Sequence, residues 1–464
     1  MRPRLLTAAA TVPLAVAALA GGSTAAVASR PTQEVTLTPL GTYSTGAFDE
    51  GASEITAYDP GTHRVFVVNA QAGTVDVLDI SDPTTPERVG RLDTPGVNSV
   101  AVHGGLVAVA EQAGERTDPG TVSFFDAESA AVLGRVTVGA LPDMVTFTPN
   151  GDFALVANEG EPEGYCAGDV DPEGSVSVVD LRRGVSAATV RTAGFTAFDA
   201  DDLRSQGVRV YGPGATAAQD LEPEYVTVSR NSRTAWVSLQ EANALAKVDI
   251  RSATVTDVVP LGLKDHARRA NSLDPSDRDG GIRIGRWPVK GLYQPDAIAS
   301  YAVRGKEYVV TANEGDTRDY ECFSEEARVS SLTLDPVAFP DAEALTADSA
   351  LGRLTVSTTS PEGPNGRTQL HVPGARSVSV RDAAGALVWD SGDALERLVA
   401  AREPAIFNAN NDATGSFDTR SDNTGPEPEG LDLGRLRGRT YAFVGLERVS
   451  AIAVLDLTDP KAGR

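Results

Sequence analysis

QPDAIASYAVRGKEYVVTANEGD, Gln294 to Asp316, reads as a two-strand hairpin. Pro295-Asp296 opens it, an apolar strand runs from Ala297 to Tyr301, and the chain turns near Arg304-Gly305. A second strand from Tyr308 to Ala312 then ends on Asn313-Glu314-Gly315-Asp316. In an antiparallel hairpin the start of the first strand lies beside the end of the second, so Asp296 and Glu314 are expected on one face.

The same unit recurs. Openings of this kind are Ser53-Glu54-Ile55, Asn98-Ser99-Val100, Pro142-Asp143-Met144, Pro223-Glu224-Tyr225, Pro295-Asp296-Ala297 and Pro428-Glu429-Gly430. Each leads to a second strand that ends on an amide or acid: Asn69, Glu111, Asn158-Glu159, Gln240-Glu241, Asn313-Glu314 and Glu447. Val-rich third strands close on Asp79, Asp126, Asp180, Asp249, Asp382 and Asp456, and fourth strands follow in most units, as in Arg88 to Leu92. Four antiparallel strands per unit without long helical periodicity predict an all-β protein, a β-propeller with six repeats visible and a seventh incomplete. A propeller closes its sheets into a ring, which hides edges and buries the blade faces against each other.

Insertions interrupt the regular pattern at about residues 187–221, 317–376 and 394–427, with short helices expected at Asp199 to Ser205 and Ala394 to Ala401. Several phrases now carry a family resemblance: FVVNAQAGTVDVLDISDP (Phe66 to Pro83), VGALPDMVTFTPNG (Val138 to Gly151), LVANEGEP (Leu155 to Pro162), GPGATAAQDLEPEYV (Gly212 to Val226), WPVKGLYQPDAIASY (Trp287 to Tyr301) and RSDNTGPEPEG (Arg420 to Gly430). With them the chain resembles the exported bacterial propellers of the choice-of-anchor I family, which also resemble an animal mesenchyme-specific cell-surface glycoprotein. The resemblance implies a propeller and export. Some relatives carry alkaline-phosphatase names, a lead toward phosphoester chemistry. Similar proteins continue past the LDLTDP phrase, whereas this sequence stops at Arg464. The sixth unit then lacks its fourth strand and the strand at Glu34 to Tyr43 lacks a blade, so an open ring or a shortened product is expected, and with an open ring weaker folding or dimerisation.

Met1 to Ala28 reads as an export signal: Arg2 and Arg4 in front, an apolar run from Leu5 to Ala20, and the small-x-small site Ala26-Val27-Ala28. The expected product is secreted, with no second long apolar run to serve as a transmembrane anchor. Lys+Arg 41 against Asp+Glu 64 leaves a formal charge of -23. That field repels nucleic acid and favours cations or basic partners, and it also keeps an exported protein soluble.

Because the first strand of each blade lines the central channel, Glu54, Asp143, Glu224, Asp296 and Glu429 are expected around its mouth, backed by Glu159, Glu241, Glu314 and Glu447. So many facing carboxylates repel each other unless protonated, paired with Arg or neutralised by a cation. Two readings stand: each acid caps its own turn, or oxygen ligands hold Ca²⁺ or Mg²⁺. The four His are scattered without metal-ligand spacing. DPSDRDGG (Asp274 to Gly281) and FNANND (Phe407 to Asp412) only loosely resemble calcium loops. Cys166 and Cys322 follow equivalent corners, and export permits a disulfide between them; free thiols are the alternative. Neither a nucleophile elbow nor a phosphate loop is present. The favoured function is an extracellular scaffold binding a protein or glycan through channel mouth and loops. The alternative is a divalent-metal phosphoester hydrolase, alkaline-phosphatase-like or phytase-like, with Arg318, Arg420 or Arg448 gripping phosphate oxygens.

Overall fold

A computed structural model describes residues 35–47, 51–411 and 414–464. The export-signal reading lies outside them. Contacts divide the chain into units 1–38 and 39–464; of the first, residues 35–38 are described and hold no helix or strand. The second is a propeller whose blades span residues 56–93, 97–140, 142–194, 223–260, 298–390 and 428–456.

Blades 1 to 5 are four-stranded antiparallel sheets and blade 6 has three strands. Second strands such as Phe153–Asn158 are buried along their whole length because each lies within a sheet packed between neighbouring blades. Fourth strands such as Glu87–Asp93 are largely exposed and polar because only one edge is paired. First strands of successive blades stand side by side, and residues from all six line one axial cavity. Six blades are thus present among the described residues. The seventh unit anticipated from Glu34 to Tyr43 has no strand among its described residues, 35–43. At the end of blade 6, Asp456 and Arg464 exchange both backbone hydrogen bonds, at 2.7 and 3.3 Å. Asp79 and Glu87 face each other at the corresponding position of blade 1, where the fourth strand begins.

The recurrent polar residues have local duties. Asp at the end of the third strand accepts hydrogen bonds from the turn that follows. Bonds from Ser81, Ser129, Arg182 and Ser252 hold Asp79, Asp126, Asp180 and Asp249 below the ordinary carboxylate range. Asn158 donates to the Oγ atoms of Ser175 and Ser177 at 3.1 and 2.9 Å, and Asn313 does the same to Ser377 and Ser379 at 3.2 and 2.8 Å. Both Asn side chains thus tie second to third strands across a buried seam.

The helix expected near Asp199 is Ala200–Gln206, with Asp199 accepting from two backbone N–H groups as N-cap. The later helix is Ala394–Arg402. The stretch read as a spacer from residue 187 begins with the fourth strand of blade 3, Thr189–Gly194. Residues 317–376 split blade 5 between its second and third strands, which still pair along their length. Together with residues 263–292, they build a satellite core around Leu273, Val289, Phe339, Leu351 and Leu354. A parallel pairing of Lys290–Leu292 with His371–Val372 joins the two segments.

Candidate functional site

The mouth of the channel is built from a corner used four times: Leu141-Pro142-Asp143, Glu222-Pro223-Glu224, Gln294-Pro295-Asp296 and Glu427-Pro428-Glu429. The residue before each proline has a left-handed φ, +44°, +35°, +40° and +46° in turn. Proline disfavours the right-handed helical region for its predecessor, and non-glycine residues enter the left-handed region only where the surroundings hold them there. Those surroundings are visible. The carbonyls of Leu141, Gln294 and Glu427 accept from the backbone N–H of Glu159, Gly315 and Glu447 at 2.9, 3.2 and 3.0 Å. Each bond draws the end of the second strand against the start of the first. The acid after proline and the acid after the second strand therefore share a face.

Glu54, Asp143, Glu159, Glu224, Asp296, Glu314 and Glu429 line one cavity of about 350 Å³. In blade 2 Asn98 takes the equivalent place, and in blade 4 Gln240 stands on the wall while Glu241 is buried. Gln240 Nε2 donates to Glu314 Oε2 at 2.9 Å. One carboxylate oxygen each from Glu314, Glu429 and Glu447 lies within 4.8 Å of the other two. Among the described residues, Glu224 Oε2 and Glu241 Oε2 are buried without a hydrogen-bond partner.

Burial and mutual repulsion raise the proton affinity of these acids. Burial, then the charge of Glu161, pushes Asp143 up to about 6. Burial brings Glu241 to about 7, with Arg318 opposing. Burial and Glu429 bring Glu447 to about 7. Glu159, Glu224, Asp296 and Glu314 lie well above the ordinary range through burial and neighbouring acids. Burial and Glu54 raise Glu429. The cavity wall contains no His or Cys among the described residues, so its donors are oxygens of the kind that suit Ca²⁺ or Mg²⁺.

The arginines expected to face a ligand are engaged with acids. Arg318 is buried; its Nη1 donates to Asp220 Oδ1 at 2.6 Å, its Nε to Glu222 Oε2 at 3.1 Å, and its guanidinium lies over the Tyr211 ring at 4.5 Å. Arg420 Nε donates to Glu427 Oε1 at 3.1 Å, and Arg448 Nε donates to Glu427 Oε2. Burial alone would raise Glu427, but Arg420, Thr424 and Arg448 together hold it below the ordinary range. Beside Arg318, Arg209 and the Tyr211 hydroxyl both donate to buried Glu325, whose carboxyl these bonds hold down against the effect of burial. Sequence reasoning did not single out Glu222, Glu427, Asp220 or Glu325. The repeated X-Pro-acid tripeptide was the available signal for Glu222 and Glu427.

Cys166 and Cys322 form a disulfide, with Cα atoms 5.2 Å apart, tying the loop after the second strand of blade 3 to the insertion of blade 5. Tyr165 packs edge-on against Tyr320 and Phe323 beside it, at 5.3 and 5.2 Å. The acids of DPSDRDGG are spent locally: Asp274 accepts from the Arg283 backbone, Asp279 from the Gly281 backbone at 3.1 Å, and Asp277 from Arg353 at 2.6 Å. In FNANND, Asn408 donates to Glu396 and Ser421 at 3.1 and 2.9 Å, and Asp412 lies outside the described residues.

A family model described as the choice-of-anchor I domain matches residues 54–460. Among curated proteins, the mesenchyme-specific cell surface glycoprotein of Strongylocentrotus purpuratus is 31% identical over 284 residues, covering 52% of this chain and 35% of that protein. Gigasin-3a of Magallana gigas is 34% identical over 113 residues, 23% of this chain and 40% of that protein. The chain thus spans well under half the length of either relative. Among solved structures, the Kuenenia stuttgartiensis hydrazine synthase aligns over 89% of this chain and 80% of its own, with a TM-score of 0.43 and 14% identity. The β-propeller domain of Myceliophteria thermophila Cps50 (Swd1) aligns over 88% of this chain and 98% of its own, with a TM-score of 0.36 and 10% identity.

Proposed function

The chain belongs to the choice-of-anchor I family, and from that premise we propose that it is an extracellular binding scaffold with a divalent cation, Ca²⁺ or Mg²⁺, seated at its channel mouth. The observation that carries the cation is the convergence of Glu314, Glu429 and Glu447, one oxygen from each within 4.8 Å of the others. Carboxylates held that close in a buried cavity are stable as anions only with a positive charge among them. Of the nearest arginines, Arg420 serves Glu427, and Arg448 is divided between Glu427 and Glu447, whose Oε1 lies 3.2 Å from its Nη1, so the three carboxylates share part of one positive charge. A cation would also draw Glu224 and Asp296 into their charged forms and fix the relative positions of blades 4, 5 and 6. The scaffold's ligand is then an extracellular protein or glycan taken by the rim and its inserted loops. The relative named as a cell surface glycoprotein and the export signal read at Met1 to Ala28 support this setting.

The hydrolase reading finds less support. It needs arginine donors directed at phosphate oxygens, whereas Arg318 is closed between Asp220 and Glu222. The test is calorimetric titration of the exported chain with CaCl₂ and MgCl₂, run beside turnover of a phosphomonoester and a phosphodiester with and without chelator. Saturable binding that Glu429→Gln weakens about tenfold or more, without turnover, is the expected result. Chelator-sensitive turnover would replace the scaffold with the hydrolase. Absence of binding at about millimolar cation would leave the acids protonated or locally capped.

A further inference from the structure

A second cavity, about 800 Å³, lies where the spacer after blade 3, the end of blade 4 and the insertion of blade 5 meet. It shares no lining residue with the channel. Its walls are mainly apolar, with Val208, Val210, Leu261, Leu263, Leu292 and Leu387 among them, and its size is that of an ordinary small-molecule site. In a chain of formal charge -23, the charged lining is unexpected: Arg204, Arg209 and Arg381, with no Asp or Glu among the described lining residues.

Two of these arginines are already paired. Arg209 donates to Glu325, and Arg204 donates to Asp201 at 2.6 Å and to the Val210 carbonyl at 2.7 Å. Arg381 is different. It is 1% exposed, and its Nη1 donates only to the carbonyls of Leu261 and Gly385, at 3.2 and 3.1 Å. Its Nε and Nη2 are buried with no hydrogen-bond partner among the described residues. The guanidinium lies over the Tyr293 ring at 4.5 Å, and no carboxylate forms an ion pair with it among the described residues. Asp390, the neighbouring acid, is given over to Lys264 at 3.2 Å and to Ser377 and Ser379 at 2.8 and 2.7 Å. A buried, uncompensated guanidinium is costly, and burial indeed draws Arg381 down to about 10. Arg381 lines the cavity, so an anion entering it meets a positive charge that no carboxylate among the described residues balances. Leu263 and Leu387, 41% and 46% exposed, offer apolar surface at its edge.

We propose that this pocket binds an organic anion with an apolar body, its carboxylate or sulfonate drawn by Arg381 and its hydrocarbon or aromatic frame against Leu263, Leu292 and Leu387. The site is independent of the channel and needs no metal.

The test uses the full exported chain with its disulfide intact, in EDTA, titrated with the aromatic sulfonate 8-anilinonaphthalene-1-sulfonate. Decanoate and the neutral decanol then compete for the bound probe. The expected result is one probe per chain, displaced by decanoate at least about tenfold more effectively than by decanol. Leu387→Asp, a change on the exposed edge, is expected to weaken both anions at least about tenfold while leaving the melting temperature in place. Arg381→Met is expected to bring decanoate and decanol to within about threefold of each other. If Arg381→Met fails to fold, the Leu387→Asp and decanol comparisons still decide. Decanol matching decanoate on the wild-type chain, an unchanged affinity in Leu387→Asp, or no saturable binding would each overturn the proposal.

Discussion

Glu241→Gln should stabilise the protein, and by an amount that depends on pH in a defined way. Glu241 is 5% exposed, one of its carboxylate oxygens has no partner, and burial lifts it from an ordinary 4.5 to about 7. The sign follows from proton binding. Between those two values the folded state holds a proton that the unfolded chain has released, so stability falls as pH rises through that window. Below about pH 4.5 both states are protonated and the group costs nothing; above about pH 7 both are ionised and the full cost is present. With each pH unit worth about 1.4 kcal/mol, the cost is about 1 kcal/mol at pH 5 and about 3 kcal/mol at pH 8. Glutamine keeps the shape and removes the charge, so it recovers most of that difference. Guanidinium unfolding of both proteins at pH 5 and pH 8, disulfide intact and EDTA present, measures it. The expected gain is about 3 kcal/mol at pH 8 and about a third of that at pH 5. A variant no more stable than the wild type at pH 8, or a gain equal at both pH values, would refute the electrostatic account of the mouth.

Two further outcomes follow from the ion pairs and the cross-link beside the channel. Arg318→Met removes the counter-charge of Asp220 and Glu222, both buried, and should cost about 3–5 kcal/mol in the same unfolding assay. The loss should grow from pH 5 to pH 8 and be partly restored by adding Glu222→Gln; a pH-independent loss would mean that packing rather than charge is at stake. Reducing the Cys166–Cys322 bridge, whose cysteines lie 156 residues apart in sequence, releases the insertion from blade 3. Stability should drop by about 2–5 kcal/mol, with new proteolytic cuts first within residues 317–376; unchanged cleavage would show that the satellite core holds the insertion without the bridge.

The acids of the channel mouth were legible because two regularities coincide: a repeat that marks the start of each first strand, and a fold in which that start faces the axis. Neither depends on a distant partner. Even within the VANEG and TANEG phrases, the Asn and the Glu divide their work by strand geometry: Asn158 and Asn313 turn into the sheet toward serines, while Glu159 and Glu314 turn to the cavity. Other features left little trace. The fourth strand Thr189–Gly194, TVRTAG, buries only Ala193, so it shows neither a continuous apolar run nor clean alternation. The segment from Val35 to Tyr43 is rich in β-formers, yet without a paired neighbour it forms no strand. Arg381 lies across from Val309 and Leu387 in its sheet, and with Asp382 next to it in sequence nothing local announces that its charge is left without an ion pair.

The partners of the arginines were hidden for a related reason. An arginine near an acidic mouth looks available for a ligand until its own carboxylate is found, and those carboxylates, Asp220 and Glu222 for Arg318, lie 98 and 96 residues away in sequence. Glu222 and Glu427 both occupy the left-handed position before a corner proline, two residues before the acid that follows that proline. The corner thus separates two kinds of carboxylate by a short step in the chain. The residue before proline turns toward the rim and takes the arginines; the residue after it turns toward the axis and takes none among the described residues. On the proposed reading, engaging the rim arginines with acids favours a cation over phosphate at the mouth. Substituting Glu427 rather than Glu429 would reverse that preference locally by freeing Arg420 and Arg448.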